Sequence, residues 1–336
     1  MESGFYRRGI WARELAEISD DPEVLDDGNF WAVVITYEGK RIFARFTTVD
    51  REQEHPFLGY ASAMPWQPVE STWRSSLDRN QYISAVGEVR AAIAEGEVYQ
   101  INLCRVLSAQ TNAKNLLPLI PLLHQRNPAP YLTSLELPNL SIASASPELL
   151  LRRSGKTIVS SPIKGTASEP GGFLEKDRAE NVMIVDLLRH DFGSICATGS
   201  IHTPRLLDVE EHPGLVHLVS DIQGELLPDV TWSQVLAAIL PGGSISGAPK
   251  SSAMRLIADL ERAERGPYCG AIGWVQGQQG ELAVGIRTFW IDHGGFDSGI
   301  VKFGTGAGIT WGSEAQMEWE ETELKARRLL SIINKS

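Results

Sequence analysis

The chain has 336 residues, 43% of them hydrophobic and 22% charged, which fits a folded globular protein of one large domain or two ordinary ones. Its formal net charge of −11 lacks the basic footprint of nonspecific nucleic-acid binding, although a locally basic pocket could still take a small anion. Cys104, Cys196 and Cys269 are far apart and odd in number, with neither disulfide nor zinc spacing; no apolar run reaches a membrane span and "MESGFYRRGIW" has no signal-peptide core, so a reducing cytoplasm is expected.

In chain order, "FWAVVITYEGKRIFARFTTV" predicts a hairpin turning at Glu38-Gly39-Lys40, and residues 50–75, rich in Pro, Gly and Trp, a long loop. "DRNQYISAVGEVRAAIAEGEVYQINLCRVLSAQ" predicts a helix stopped near Gly96 and then a strand. "ASPELLLRR" and "GKTIVSSPIKG" read as a second hairpin, and "EKDRAENVMIVDLLRHDFG" as a helix ending at Gly193. "TWSQVLAAIL" and "APKSSAMRLIADLERAERG" are further helices. "AIGWVQGQQGELAVGIRTFWIDHGG" gives two strands around a glycine-rich turn, and a last helix starts near Glu314. Local hairpins with helices between them indicate an α+β fold with antiparallel sheets.

Two helices place acids where apolar residues belong. Glu180 shares a stripe with Met183, Ile184, Leu187 and Leu188, and Glu318, Glu321 and Lys325 share one with Leu329 and Ile332. A carboxylate on an inward face is paired or holds a metal. Glutamates from two helices could hold one Mg²⁺; on spacing alone an internal pair such as Glu321 with Lys325 is the commoner arrangement. "LPGGSISGAPKSS" is not an ATP loop, because Ala248 follows Gly247 where that motif needs lysine. It can still present backbone N–H groups to an anion, as can "KFGTGAGITWG". Lys164 in "SSPIKGTASEP" stands between a strand end and a glycine turn; it is either a solvated charge or a positioned amine.

The segments "GEVYQINLCRVLSA", "SPELLLR", "PIKGT", "DRAENVMIVDLLRHD", "HLVSDIQGEL", "PGGSISGAPKSSAM", "CGAIGWV", "GIRTF", "FGTGAGI" and "EWEETELKA" together resemble the chorismate-utilising enzymes, from about Tyr82 to the C-terminus. That family comprises component I of anthranilate and aminodeoxychorismate synthases and the isochorismate and salicylate synthases. The resemblance implies two packed antiparallel β-sheets with helices on the outside and a Mg²⁺-dependent site between them. A shortened N-terminal segment, residues 1–75, is expected to pack on the core of a chorismate-binding catalytic domain, residues 76–336, the two forming one structural unit.

Within the family, Pro162-Ile163-Lys164-Gly165-Thr166 is similar to the aminodeoxychorismate branch, where anthranilate synthases have alanine for the lysine. The resemblance implies Lys164 as covalent nucleophile and Glu148 as the acid that protonates the departing hydroxyl. It implies Glu180 and Glu321 as Mg²⁺ ligands, with Glu318 in the outer shell. Substrate contacts are implied at Gln100, Thr166, His217, Gly243, Ser244, Ser246, Arg287, Gly306, Ala307, Gly308 and Lys325. Gln100 stands where the water-adding members carry an activating lysine, and an amide cannot be that base. The implied reaction is amination of chorismate to 4-amino-4-deoxychorismate, for para-aminobenzoate and folate synthesis, with ammonia from a glutamine amidotransferase partner. The alternatives are anthranilate or isochorismate formation, or a non-catalytic chorismate-binding assembly subunit. His190 and Ser246 replace a usual Asn and Thr, the loop after Thr166 lacks its usual arginine, and the segment behind tryptophan feedback is largely without counterpart.

Overall fold

The computed structural model describes residues 3–51, 57–167, 169, 171–173, 175–212, 215–294 and 299–334. The side chains of Thr166, Ala167, Lys176, Glu211, His212 and Leu215 lie outside this description. The described strands form one 18-stranded sheet in which every pairing is antiparallel. From one edge the ladder runs His202–His212, Leu215–Glu225, Thr157–Ser161 with Ile163–Ala167, Leu149–Ser154, Gln279–Val284, Ala271–Gln276 and Phe30–Ile35. It continues through Arg41–Arg51, Ile10–Ser19, Gly4–Arg7, Tyr131–Leu137, Leu140–Ser146, Thr288–Asp292 and Ile300–Ile309 to Gln100–Gln110. The first 51 residues therefore supply strands to the middle of the ladder.

The expected antiparallel strands with helices are present, and the hydrogen bonding joins the strands of the two expected packed sheets into one sheet. The ladder is continuous and curls, because long strands and bulges, such as the register shift between Leu15 and Glu17, let it bend without breaking. The helices are α1 (Phe57–Ser62), α2 (Arg79–Ala94), α3 (Ile120–Arg126), α4 (Glu175–Gly193), α5 (Trp232–Ile239), α6 (Lys250–Leu260) and α7 (Ala315–Ile333). Local chemistry sets several of their ends. Asp78 and Gln81 form a reciprocal capping box at the start of α2, and Thr231 and Gln234 do the same for α5; each such cap contributes about 1 kcal/mol. The chain leaves α2 through Gly96 at φ +78°, as its sequence predicts. Helix α4 lies on Leu215–Glu225, and α7 lies on Ile300–Ile309 beside α2. The two outermost regions of the ladder thus each carry a helix, and the two helices carry the acids singled out above.

The largest apolar cluster joins strands from the middle of the ladder to α4 and α5, including Trp31, Phe43, Ile184, Leu188 and Trp232. A second cluster packs α1, α3 and α7 on Leu140–Ser146 and its neighbours, and a third packs α2 and α6 on Gln100–Gln110. The loop from Gly242 to Ala248 closes the curl. Gly247 and Ala248 pair with Ile101 and Gln100, and the N–H of Asn102 donates to Ser246 O at 2.9 Å.

Candidate functional site

On one side of this closing loop, three of the expected residues meet. The Lys164 amino group donates to the carbonyl oxygen of Ser244 at 2.9 Å, and the Ser244 hydroxyl donates to Glu148 Oε1 at 2.7 Å. Lys164 is placed by the strand Ile163–Ala167, where it lies opposite Leu218. The bulge next to it in this strand requires glycine: Gly165 has φ +76°, and a Cβ there would come within 2.9 Å of Asp177 Cβ in α4. Glu148 is buried, and burial raises its carboxyl pKa. The Ser244 hydrogen bond, the charge of Lys164, the Ile163 N–H and the charge of Arg287 oppose that shift without cancelling it. A carboxyl that holds its proton more tightly than usual, beside an amine, is suited to donate that proton to a leaving group. Arg287 completes this side from a left-handed backbone at φ +52°, its carbonyl held by the Ala145 N–H at 3.0 Å. Burial and nearby Arg328 lower its pKa, and Glu148 works against them.

On the other side, Gly306, Ala307 and Gly308 lie opposite Cys104, Leu103 and Asn102. A methyl group at Gly308 would stand 2.6 Å from Gln100 Nε2 and 3.6 Å from Glu180 Oε2, so the glycine leaves room for the Gln100 amide against the strand. Lys325 donates to Gly306 O at 3.0 Å and pairs with Glu321 at 2.6 Å. The i, i+4 pair considered from spacing is therefore present, and it reaches the same strand as Glu180. Glu318, 3% exposed, lies one turn earlier on α7. Its charge and that of Glu321 both bear on Tyr82, whose hydroxyl burial raises first.

The acidic faces differ from the predicted stripes by a small rotation. In α4 the buried residues are Asn181, Ile184, Val185 and Leu188, whereas Glu180, Met183 and Leu187 are only partly buried. In α7 the buried line is Glu318, Thr322, Ala326, Leu329 and Ile332, with Glu321 and Lys325 beside it and roughly half exposed. The apolar stripe packs on the core, and the neighbouring row faces the closing loop or solvent. Leu187 shows this, since a Cβ on Gly243 would lie 2.4 Å from its Cδ2.

Ser246 uses its hydroxyl internally, donating to Gly242 O at 2.9 Å. His217 is buried on the strand beside Lys164 and is registered with Thr166; the Thr166 side chain expected to contact substrate lies outside the described residues. Among the described residues no three His, Cys, Asp or Glu side chains gather as a metal cluster. The carboxylates of Glu180, Glu321 and Glu318 nonetheless offer the all-oxygen donors that Mg²⁺ takes, and few protein ligands suffice for that ion. Glu180 lies beside Gly308, and Glu321 reaches Gly306 of the same strand through Lys325, so the donor chemistry on both helices suits that ion.

Sequence reading passed over Glu261, Arg265 and the Asp191–Lys250 pair. Lys250, first in α6, bonds Asp191 near the end of α4 at 2.5 Å. Burial raises the Asp191 pKa, and Lys250 opposes it. Glu261 and Arg265 have i, i+4 spacing inside "LERAERG", the only signal available, and one that solvated helix faces share.

The chorismate binding enzyme family matches residues 27–331. The chain is 36% identical over 265 residues to anthranilate synthase component 1 of Archaeoglobus fulgidus, covering 76% of this chain and 62% of that one. It is 31% identical over 353 aligned positions to aminodeoxychorismate synthase component 1 of Escherichia coli, covering 98% and 76%. It thus spans a little under two thirds of the archaeal relative's length. The structure of the menaquinone-specific isochorismate synthase from Escherichia coli superposes with a TM-score of 0.80 at 18% identity, covering 99% of this chain and 88% of that one, a likeness of fold. With the family match extending over most of the sequence, the chain belongs to the chorismate-binding enzymes.

Proposed function

We propose that the chain aminates chorismate at C4, giving 4-amino-4-deoxychorismate for para-aminobenzoate and folate synthesis. The observation that carries this reading is Ser244, which holds the Lys164 amine by its carbonyl and the Glu148 carboxyl by its hydroxyl. Retention of configuration at C4 needs two displacements. The lone pair of Lys164 Nζ adds at C2, both ring double bonds shift by one position toward C4, and the C4–O bond breaks. Glu148 gives its proton to the departing hydroxyl, which leaves as water, and the resulting carboxylate takes the proton that Nζ sheds. Ammonia then adds at C4, both double bonds shift back, and the C2–N bond to Lys164 breaks as Glu148 returns the proton to the amine. The incoming nitrogen loses one proton to Glu148 and the cycle closes.

Arg287, Lys325 and the Gly306–Gly308 backbone would orient the substrate carboxylates, the planar guanidinium by a two-point contact. Glu180 and Glu321, with Glu318 behind them, would hold Mg²⁺, which supplies charge neutralisation at the ring carboxylate. Gln100 lines the site without a basic group, which disfavours addition of water. The ammonia would come from a glutamine amidotransferase partner.

Relatives named for anthranilate synthesis match at similar identity, and Lys164 is the residue that favours C4 over C2. Turnover of chorismate with Mg²⁺ and ammonium, with products resolved by chromatography and mass, tests the assignment. Anthranilate or isochorismate as the main product would overturn it, and no turnover at all would favour a binding subunit.

A further inference from the structure

Glu261 and Arg265 have no part in the chemistry above, yet their side chains are 7% and 1% exposed. Helix α6 ends at Leu260, so neither is held by a continuing helix. Arg265 Nε donates to Glu261 Oε2 at 2.8 Å and Nη2 to Oε1 at 2.7 Å, a two-point fork. Desolvation offsets most of the attraction in such a buried pair, so stability alone is a weak account of it. The remaining bonds give a better one. Arg265 Nη1 donates to Ile245 O at 2.8 Å and Nη2 to Asn102 O at 2.6 Å. Glu261 Oε1 also accepts the N–H of Cys104 at 2.8 Å.

Each of these backbone groups adjoins the site. Ile245 lies between Ser244, which carries Lys164 and Glu148, and Ser246, whose carbonyl takes the Asn102 N–H. Asn102 and Cys104 lie opposite Gly308 and Gly306. One ion pair therefore bridges the acid–amine side and the carboxylate–metal side. It is braced from behind. The Tyr37 ring lies 4.1 Å from the guanidinium carbon, and Glu38 accepts the backbone N–H groups of Arg265 and Gly266 at 2.7 and 3.2 Å.

We propose that Arg265, locked by Glu261, is a positioning residue that sets the spacing between Ser244 and the Gly306–Gly308 strand, and so between Lys164 and the bound ring. Arginine is required because its planar fork reaches two carbonyls and a carboxylate together, which a lysine ammonium on a flexible stem cannot do in fixed geometry. The inference rests on the proposed reaction for its kinetic readout only.

The test compares Arg265→Lys with the wild type. Chorismate binding with Mg²⁺, measured by equilibrium titration, should stay within a few-fold, because the carboxylate contacts remain. Formation of the Lys164–chorismate adduct without ammonia, followed by mass, should slow by roughly 10- to 100-fold, the range that a displacement of about 1 Å costs. Hydrogen exchange at the Asn102 amide should accelerate. Should Arg265→Lys fail to fold, the exposed brace gives the second variant: Glu38→Ala should slow the adduct in the same direction and by less. Adduct formation at the wild-type rate per folded molecule, with unchanged Asn102 exchange, overturns the proposal. If wild type forms no adduct, the reaction assignment fails, and the Asn102 exchange rate decides the positioning role by itself.

Discussion

Lys164 and Glu148 meet on opposite groups of one residue: the amine donates to the Ser244 carbonyl at 2.9 Å while the Ser244 hydroxyl donates to the carboxyl at 2.7 Å. Three separate parts of the chain converge there, and two of them, the strand of Lys164 and the segment before Leu149–Ser154, are fixed by the sheet. The third is the closing loop, so any movement of that loop carries both groups together.

Removing the lysine tests the covalent step directly. Lys164→Ala leaves Glu148, Arg287 and the glycine strand in place, so chorismate binding should persist while 4-amino-4-deoxychorismate formation falls below detection. With the C2 face opened, a trace of the ortho-aminated precursor is the expected by-product. Wild type incubated with chorismate and no ammonia should show a mass adduct on the peptide containing Lys164. An unchanged rate in the variant would mean that the lysine is a bystander.

The pH dependence follows from Glu148. Burial sets its folded pKa above the ordinary carboxylate value, so the folded state holds this proton more tightly than the unfolded chain does. Its contribution to stability is full below the unfolded pKa and is lost as pH rises through the folded pKa. The acid-dependent step falls along the same alkaline limb. Glu148→Gln should remove that limb and lower turnover by roughly 10²–10⁴-fold, with thermal stability equal or higher on the alkaline side. Rate–pH and melting curves recorded together check both.

Glu180 and Glu321 separate a metal role from a structural one. The Glu321–Lys325 pair is 42% and 48% exposed, and exposed helix pairs of this spacing contribute only about 0.3–0.5 kcal/mol. Glu321→Gln should therefore barely move the melting temperature, yet it and Glu180→Gln should each abolish Mg²⁺-dependent chorismate binding. Retained Mg²⁺ dependence with lowered stability would return both residues to structural pairing.

Nitrogen supply is predicted from the cysteines. Cys104, Cys196 and Cys269 are all buried, and none lies in a glutaminase-type turn. The purified chain should use ammonium and fail with glutamine until a glutaminase is added. Glutamine-dependent turnover by the chain alone would contradict this.

Glu136 gives a stability prediction far from the chemistry. It is buried on Tyr131–Leu137 with its pKa pushed up to about 8 by burial. Ser141 and the Leu116 and Leu117 N–H groups oppose the shift without cancelling it, while Leu116 N–H donates to Ser141 Oγ and Leu117 N–H to Asn115. Neither carboxylate oxygen has a well-formed hydrogen bond. The folded state keeps a proton that the unfolded chain has released, so this group's contribution declines as pH rises from the ordinary carboxylate range through about 8. Glu136→Gln should flatten that part of the stability–pH curve in denaturant titrations and be the more stable form at its alkaline end.

The sequence by itself determined the helices with strong caps and periodicity, the hairpins Phe30–Ile35 with Arg41–Arg51 and Leu149–Ser154 with Thr157–Ser161, and the residues most worth testing. These are local signals: a cap, a turn residue or a period is complete within a few residues. It did not disclose Leu140–Ser146, whose serines sit fully buried because their hydroxyls bond Leu116 N–H, Thr288 and the Val284 carbonyl, partners that lie far along the chain. It missed His202–His212 for a related reason, since that edge strand is bulged and mostly unburied. Only the tertiary structure decided that the ladder is one curled sheet, that Glu180 and Glu321 sit beside the buried stripes, and that Arg265 joins the two sides of the site. Each of these depends on groups brought together by closing the curl, and a buried charge is tolerated only where distant backbone carbonyls and a carboxylate arrive to satisfy it.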